Sequence, residues 1–218
     1  MTQVTDPRSS RLRELSRWGA FVDRRVSEWQ RGYIRRQASS LAILARLRRG
    51  VGKNVDEVPD LWQYTLPDFP FETTNSDAPT RAERAVHTAM TLFSLHQQSR
   101  QVEMHVPGGP SLGGAARQLR SRTSSEQAVR RRFEALGTAE AFSEVVHHAR
   151  GLISQLRAQS IPLDYGALTD DLIRLQHPNT ANHVRLRWGR DFYRAADDGG
   201  VEPADSTDHV NADNQKEA

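Results

Sequence analysis

Apolar residues recur along this chain at helical spacing, and this periodicity restricts the fold more than any other feature. The most regular stretch covers residues 139–159, where the apolar side chains fall on one side of a helix: Phe142, Val145, Val146, Ala149, Leu152, Ile153 and Leu156. No stretch alternates apolar and polar residues with the β-branched enrichment that is typical of a strand. We therefore predict an all-α fold.

The first 50 residues predict two helices. One begins after a cap at Ser9 or Ser10 and carries an apolar row from Leu12 to Trp29. The second begins at Ile34 and ends at Gly50 or Gly52.

Breaks rich in proline, glycine or serine divide the rest of the chain. The main ones lie at residues 107–110 and 122–125. We predict two small helical bundles, an N-terminal lobe of residues 1–122 and a C-terminal bundle of residues 123–196. Residues 197–218 are acidic and have almost no large apolar side chains, so we predict a disordered acidic tail.

Arginine supplies almost all of the positive charge. The chain has 28 Arg, and its only lysines are Lys53 and Lys216. Residues 1–196 carry 29 basic and 20 acidic side chains, a net charge of +9, whereas residues 197–218 carry a net charge of −6. A GC-rich genome explains the preference for Arg over Lys, but not the net charge or its clustering. One guanidinium group can donate two parallel hydrogen bonds to the oxygens of a phosphate. The basic body therefore indicates nucleic acid as the partner.

The arginines concentrate in residues 1–50 and 100–132, where opposing acids are few. Helical phase places Arg35, Arg46 and Arg49 on one face of the predicted second helix, away from its apolar row. Arg48 projects towards the core and is interpreted as a snorkelling or ion-paired structural residue. The candidate nucleic-acid-binding residues are Arg35, Arg46, Arg49, Lys53, Arg117, Arg120, Arg122, Arg130 and Arg131.

For any single arginine the alternative is a solvated helix face without a ligand. No zinc-finger, homeodomain or RNA-recognition signature accompanies the basic residues. The sequence therefore predicts contact with the phosphate backbone and no reading of bases.

Catalytic patterns are weak. Residues 109–113 match the G-x-S-x-G nucleophile motif, but no strand precedes them, so Ser111 is interpreted as a helix N-cap. No P-loop or dinucleotide-binding glycine pattern occurs. We predict that the protein is not an enzyme and needs no cofactor.

Metal-binding patterns are equally weak. The eight histidines include no H-E-x-x-H motif, and neighbouring His147 and His148 diverge by about 100° on a helix. The side chains of Asp170 and Asp171 also diverge on a helix. Arg174 follows them at the i+3 and i+4 spacing, which predicts a surface ion pair. We predict no metal site.

Composition also bears on location. The chain has no cysteine, which excludes disulfides and thiolate metal sites. No apolar stretch resembling a secretory signal occurs near Met1, and the clearest apolar run, residues 41–45, is too short to span a membrane. We expect a cytoplasmic protein without membrane contact.

Several segments, in a consistent order over residues 40–194, resemble one known family. They are residues 44–50 (LARLRRG) with Pro59 and Trp62, residues 89–97 (AMTLFSLHQ), residues 111–113 (SLG), Arg132 with Phe133, the helix at 145–156, residues 161–165 (IPLDY) with Leu168, Asp171 and Leu172, and residues 188–193 (WGRDFY). On these residues the chain resembles the CasB family, the small subunit of the type I-E CRISPR surveillance complex Cascade.

The resemblance implies an all-α protein of two lobes that forms a homodimer within the complex. It implies contacts with other Cascade subunits (the backbone and large subunits), the CRISPR guide RNA, and the target and displaced DNA strands. The family has no catalytic role, since a separate nuclease-helicase cuts the DNA. The family segments that carry over are residues 46–49 and the basic positions near Arg132. The alternatives are a free-standing helical nucleic-acid-binding or regulatory protein, and a scaffold whose arginines bind acidic proteins.

Overall fold

The computed structural model describes residues 14–194, which form nine α-helices and no β-strand. Three short 3-10 helices, Arg48–Gly50, Val55–Glu57 and Pro59–Leu61, connect the second and third α-helices. The α-helices are α1 (Arg17–Ile34), α2 (Ala38–Leu47), α3 (Trp62–Thr65), α4 (Arg81–His96), α5 (Leu112–Arg122), α6 (Glu126–Thr138), α7 (Phe142–Ala158), α8 (Tyr165–Leu175) and α9 (Pro178–Tyr193). The prediction of an all-α fold is confirmed.

Helix α1 begins later than the sequence pattern predicts. Ser16 is its N-cap, and the Ser16 hydroxyl accepts a hydrogen bond from the backbone N–H of Gly19 at 3.2 Å. The backbone N–H of Ser16 donates to the Asp170 carboxylate of α8 at 2.9 Å. In a helix that continued from Ser10, this N–H would instead donate to a backbone carbonyl of the preceding turn. The predicted start is therefore wrong, and Ser9, Ser10 and Leu12 lie outside the described residues.

The predicted second helix is interrupted near its start. Helix α1 ends at Ile34 and α2 begins at Ala38, because Arg36 adopts a left-handed backbone with a φ of 58°. The N–H of Gln37 donates to the carbonyl of Gly32 at 2.9 Å and closes α1.

That break changes the interpretation of the first arginine group, Arg35, Arg46 and Arg49. Arg35 is the C-cap of α1, Arg46 lies in the last turn of α2, and Arg49 lies in a 3-10 helix. The prediction that one helix presents all three on one face is wrong.

One apolar cluster runs through helices from both halves of the chain. Helix α8 packs between α1 and α4, α5 packs on α9, and α7 packs on α4 and α6. Trp188, Tyr165 and Phe93 are among its largest fully buried side chains. Helices on both sides of the 122/123 boundary contribute to this cluster, and the division into two lobes stays a prediction.

The two aspartates of α8 are buried acceptors. Asp170 accepts hydrogen bonds from the N–H and the hydroxyl of Ser16. Asp171 accepts from the indole N–H of Trp188 at 2.7 Å and from the guanidinium of Arg187. The predicted surface ion pair with Arg174 is therefore wrong, because a burial of 97% or more removes both carboxylates from solvent.

The predicted caps of α5 and α8 are confirmed. The Ser111 hydroxyl accepts from the N–H of Gly114 at 3.1 Å, and its own proton is donated to Asp191 at 2.5 Å. The Asp164 carboxylate accepts from the N–H groups of Ala167 and Gly108, each at 2.9 Å. Among the described helices, none is long and apolar enough to cross a membrane.

Candidate nucleic-acid interface

Most of the sequence-predicted binding residues are accessible. Arg117 and Arg120 are half-buried, and the other seven have exposed side chains. None of these seven forms an ion pair with an acidic side chain within the described residues. The exposed candidates are Arg35, Arg46, Arg49, Lys53, Arg122, Arg130 and Arg131. Their charge is therefore available to an external anion.

Aromatic rings hold two arginines of the second arginine group, which consists of Arg117, Arg120, Arg122, Arg130 and Arg131. The guanidinium of Arg120 lies 5.0 Å from the ring centroid of Phe192, and that of Arg130 lies 6.0 Å from Tyr193. Phe192 stacks on Phe133, with 4.2 Å between ring centroids. The ring of Tyr193 is 52% exposed. An exposed aromatic ring beside an arginine is a common element of surfaces that bind single strands.

The arginines in the last turn of α2 and in the 3-10 helix that follows it differ in their surroundings. Arg46 donates from Nη1 to the hydroxyl of Tyr64 at 2.9 Å, whereas Arg49 is exposed. Arg48 is half-buried, and this burial lowers its pKa. The charge of Arg157 lowers the pKa further, whereas Tyr33 raises it. This partial burial is consistent with the interpretation of Arg48 as a structural residue, which stays a prediction.

A cavity of about 260 Å³ lies between the loop at residues 52–55, α4 and α7. No acidic residue is among the described residues that line it. We name it the basic pocket after its cationic and imidazole side chains, which are Lys53, Arg84, His87, His147 and Arg150. Arg84 donates from Nη2 to the carbonyl of Pro79 at 2.7 Å, which fixes the direction of its side chain.

A shallow groove between α6 and α7 continues from the basic pocket. Arg132, His148 and Ser154 line this α6–α7 groove, and its lining also contains no acidic residue. His147 and Arg150 line both depressions, so the two are contiguous. Together they form a cationic path on α7 and its neighbours that a phosphate backbone can follow.

Of the cations on this path, Lys53 alone is among the candidate binding residues that the sequence indicates, whereas Arg84, Arg132 and Arg150 are not. His147 and Arg150 are three residues apart and share a face of α7, which is the only spacing signal present. Arg84 comes from α4, more than sixty residues earlier in the chain. Only the packing of α7 on α4 brings these side chains together.

One group of side chains has the composition of a metal site: Asp23, His105 and Asp164. Its donor atoms already have protein partners. Nδ1 of His105 accepts from the N–H of Tyr165 at 3.1 Å, so Nε2 carries the proton that faces Asp23 at 3.1 Å. Burial lowers the pKa of His105, and Asp23 and Asp164 oppose that effect. This arrangement ties α1 to the start of α8.

The helices and the exposed arginines define a small all-helical protein with a cationic surface. The family model of the CRISPR-associated protein Cse2 matches residues 43–193. The chain therefore belongs to the CRISPR-associated Cse2 family. This finding confirms the resemblance on residues 40–194 that the sequence segments indicated.

Solved structures agree with this assignment. The crystal structure of CasB from Thermobifida fusca matches with a TM-score of 0.70 and 36% sequence identity, covering 82% of this chain and 99% of that one. A Cse2-family protein from Thermus thermophilus matches with a TM-score of 0.60 and 22% identity, covering 79% and 98% of the two chains. A chain of a CRISPR RNA-guided surveillance complex matches with a TM-score of 0.64 and 22% identity, over 81% and 94%. The last two show the fold alone. No curated protein matches the chain.

Proposed function

We propose that this chain is the non-catalytic small subunit of a type I-E CRISPR RNA-guided surveillance complex. It binds the phosphate backbones of guide RNA and target DNA, and it holds the displaced strand so that the R-loop persists. Family membership and a fold shared with a chain of a surveillance complex support the assignment. The observation that carries the binding role is the set of seven exposed candidates that form no ion pair with any acidic side chain of residues 14–194.

Physical chemistry explains why such a complex needs this subunit. R-loop formation exchanges a DNA duplex for an RNA–DNA duplex of nearly equal stability, so additional backbone contacts decide whether the loop persists. A displaced strand that is left free re-anneals with its complement. Arginine side chains lower the free energy of that strand without reading its bases, and base pairing with the guide keeps control of specificity.

Assembly with the proposed partners is the first test. The full chain is purified together with the backbone and large subunits and a guide RNA, and the mass of the complex is measured. We expect a stoichiometric complex that contains two copies of this chain. A complex that forms without this chain bound contradicts the assignment.

Binding to unrelated sequences is the second test. Affinities for single strands and duplexes of several sequences are measured over a range of salt concentrations. We expect similar affinities for all sequences and, if six phosphates are neutralised, a log–log salt slope of roughly −4 to −5. A strong preference for one sequence at physiological salt would instead indicate a free-standing regulator that reads bases.

A further inference from the structure

The basic pocket is lined by a buried side chain that makes no hydrogen bond of normal geometry with any described residue. We propose that this pocket binds one phosphate group of a nucleic-acid backbone, with His87 as a buried hydrogen-bond donor and Lys53, Arg84 and Arg150 as the cations. This inference rests on the proposed function only in naming nucleic acid as the source of the phosphate.

His87 is the observation that indicates a ligand. Its side chain lines the pocket, and the residue is only 1% exposed. Within the described part of the chain neither ring nitrogen has a hydrogen-bond partner of normal geometry, and the carbonyls of Gly50 and Lys53 lie near the ring without meeting that geometry. Buried polar groups in folded proteins nearly always have such a partner. A phosphate oxygen in the pocket would accept the hydrogen bond that the ring does not make within the protein.

The ring needs no positive charge for that role. Burial lowers the pKa of His87, and the carbonyls of Gly50 and Lys53 and the carboxylates of Asp56 and Glu57 oppose the effect. A neutral imidazole keeps one N–H group, which is sufficient for a single bond to a phosphate oxygen.

The cations of the pocket are arranged for an anion. Lys53 and Arg150 are exposed, whereas Arg84 is half-buried and held by the carbonyl of Pro79. Thr88 and Ser143 add two hydroxyl groups to the lining. Charge-assisted hydrogen bonds from such groups are the strong contacts of phosphate sites.

The size of the pocket favours a compact anion over an organic cofactor. Its volume of about 260 Å³ lies below the range of roughly 300–1,000 Å³ that is usual for drug-sized ligands. Among the described residues that line the pocket, Phe142 alone has a phenyl ring, so the lining offers little apolar surface to an organic ring. The contiguous α6–α7 groove offers Arg132 and His148 to the neighbouring phosphates of the same strand.

Nuclear magnetic resonance of the His87 ring tests the inference on the full chain. The imidazole signals are followed during titration with inorganic phosphate and, separately, with a single-stranded oligonucleotide. We expect both ligands to shift the His87 signals, and we expect the oligonucleotide to displace inorganic phosphate. Lys53→Met and Arg150→Met should each weaken phosphate binding about tenfold, since each removes a charge-assisted contact.

Two controls separate a pocket effect from a general loss of charge or fold. Arg190→Met removes one exposed positive charge from α9, outside the pocket, and should leave the phosphate affinity unchanged. His87→Gln keeps an N–H donor and should retain more phosphate binding than His87→Leu, with circular dichroism confirming that both variants are folded.

The outcomes distinguish the two proposals. Oligonucleotide binding that leaves the His87 signals unchanged overturns the pocket inference and leaves the proposed function intact. A shift with inorganic phosphate, in a chain that binds no oligonucleotide, overturns the proposed function and the nucleic-acid source of the phosphate. No shift with either ligand overturns the pocket altogether.

Discussion

His96 shows how a single buried residue links stability to pH. It is fully buried on α4, and its Nδ1 lies 3.0 Å from the hydroxyl of Tyr165. Burial lowers the pKa of His96 to about 3, with the carbonyl of Ile161 opposing and Arg157 and Arg100 adding to the effect. The native state therefore keeps this ring neutral at pH values where the unfolded chain protonates it.

We predict that this residue makes the protein less stable in acid. Below pH 6.5 the unfolded state binds a proton at His96 that the native state does not bind until about pH 3, so stability is lost as the pH falls through this window. The loss amounts to at most about 1.4 kcal/mol per pH unit. Urea unfolding of the parent and of His96→Gln at several pH values measures it, and the variant should lose less stability on acidification.

A matched control for His96→Gln is His183→Gln, because His183 is exposed on α9. This control should keep the pH dependence of the parent. If His96→Gln keeps it as well, the role assigned to His96 is wrong.

At the scale of the elements, the contact between α5 and α9 depends on a glycine. A Cβ atom at Gly113 would overlap the carbonyl oxygen of Trp188, which belongs to the backbone and cannot move aside cheaply. Only glycine, which has no Cβ atom, allows α9 to approach α5 this closely at position 113.

Gly113→Ala should destabilise the protein by about 1–3 kcal/mol, because it forces the two helices apart. Gly137→Ala on α6 is the matched control. A Cβ at Gly137 meets no atom within 4 Å, so helix propensity should raise stability by up to about 1 kcal/mol. Thermal unfolding measures the stability of both variants against the parent. If Gly113→Ala stabilises the protein as much as Gly137→Ala does, α5 and α9 are not closely packed.

Local sequence patterns predict most helices but not all of their bounds. Apolar periodicity predicts α4 and α7, and the caps at Ser111 and Asp164 are visible as residue types. A break between the first two helices is predicted, but its position at residues 35–37 is not visible, because Arg36 adopts a left-handed backbone without a glycine or proline at that point to indicate it.

The residues of the candidate site also fall into those that the sequence predicts and those that only the structure reveals. Charge clustering finds Lys53 and the exposed arginines, since these features are local in sequence. The basic pocket depends on tertiary packing of α4, α7 and the loop at residues 52–55, and no pattern within one segment indicates it. The burial of Asp171 is likewise fixed by partners on α9.

At the scale of the whole molecule, the charge of the chain is divided between a basic body and the acidic residues 197–218. A tethered anion competes with phosphate for the same arginines. Deletion of residues 197–218 removes a net charge of −6, and we predict tighter nucleic-acid binding with unchanged thermal stability. Titration of an oligonucleotide with the full and the shortened chain measures the first effect. A large loss of melting temperature would contradict the second.

We propose that exposed arginines hold the displaced strand of the R-loop. Footprinting of that strand in the assembled complex measures whether they do. Reversal of the first arginine group, Arg35, Arg46 and Arg49, to Glu should reduce protection of the strand and shorten the R-loop lifetime while helical circular dichroism is kept. Arg24 of α1, Arg174 of α8 and Arg190 of α9 are exposed and belong to neither arginine group, and they are reversed together as the control for total charge.

Reversal of the second arginine group, at the exposed positions Arg122, Arg130 and Arg131, is measured in the same experiment. We expect that reversal of at least one of the two groups reduces protection of the strand, while the control complex keeps it. If both variant complexes assemble and protect the displaced strand as fully as the parent does, these arginines do not hold the strand, and the proposed binding role is wrong.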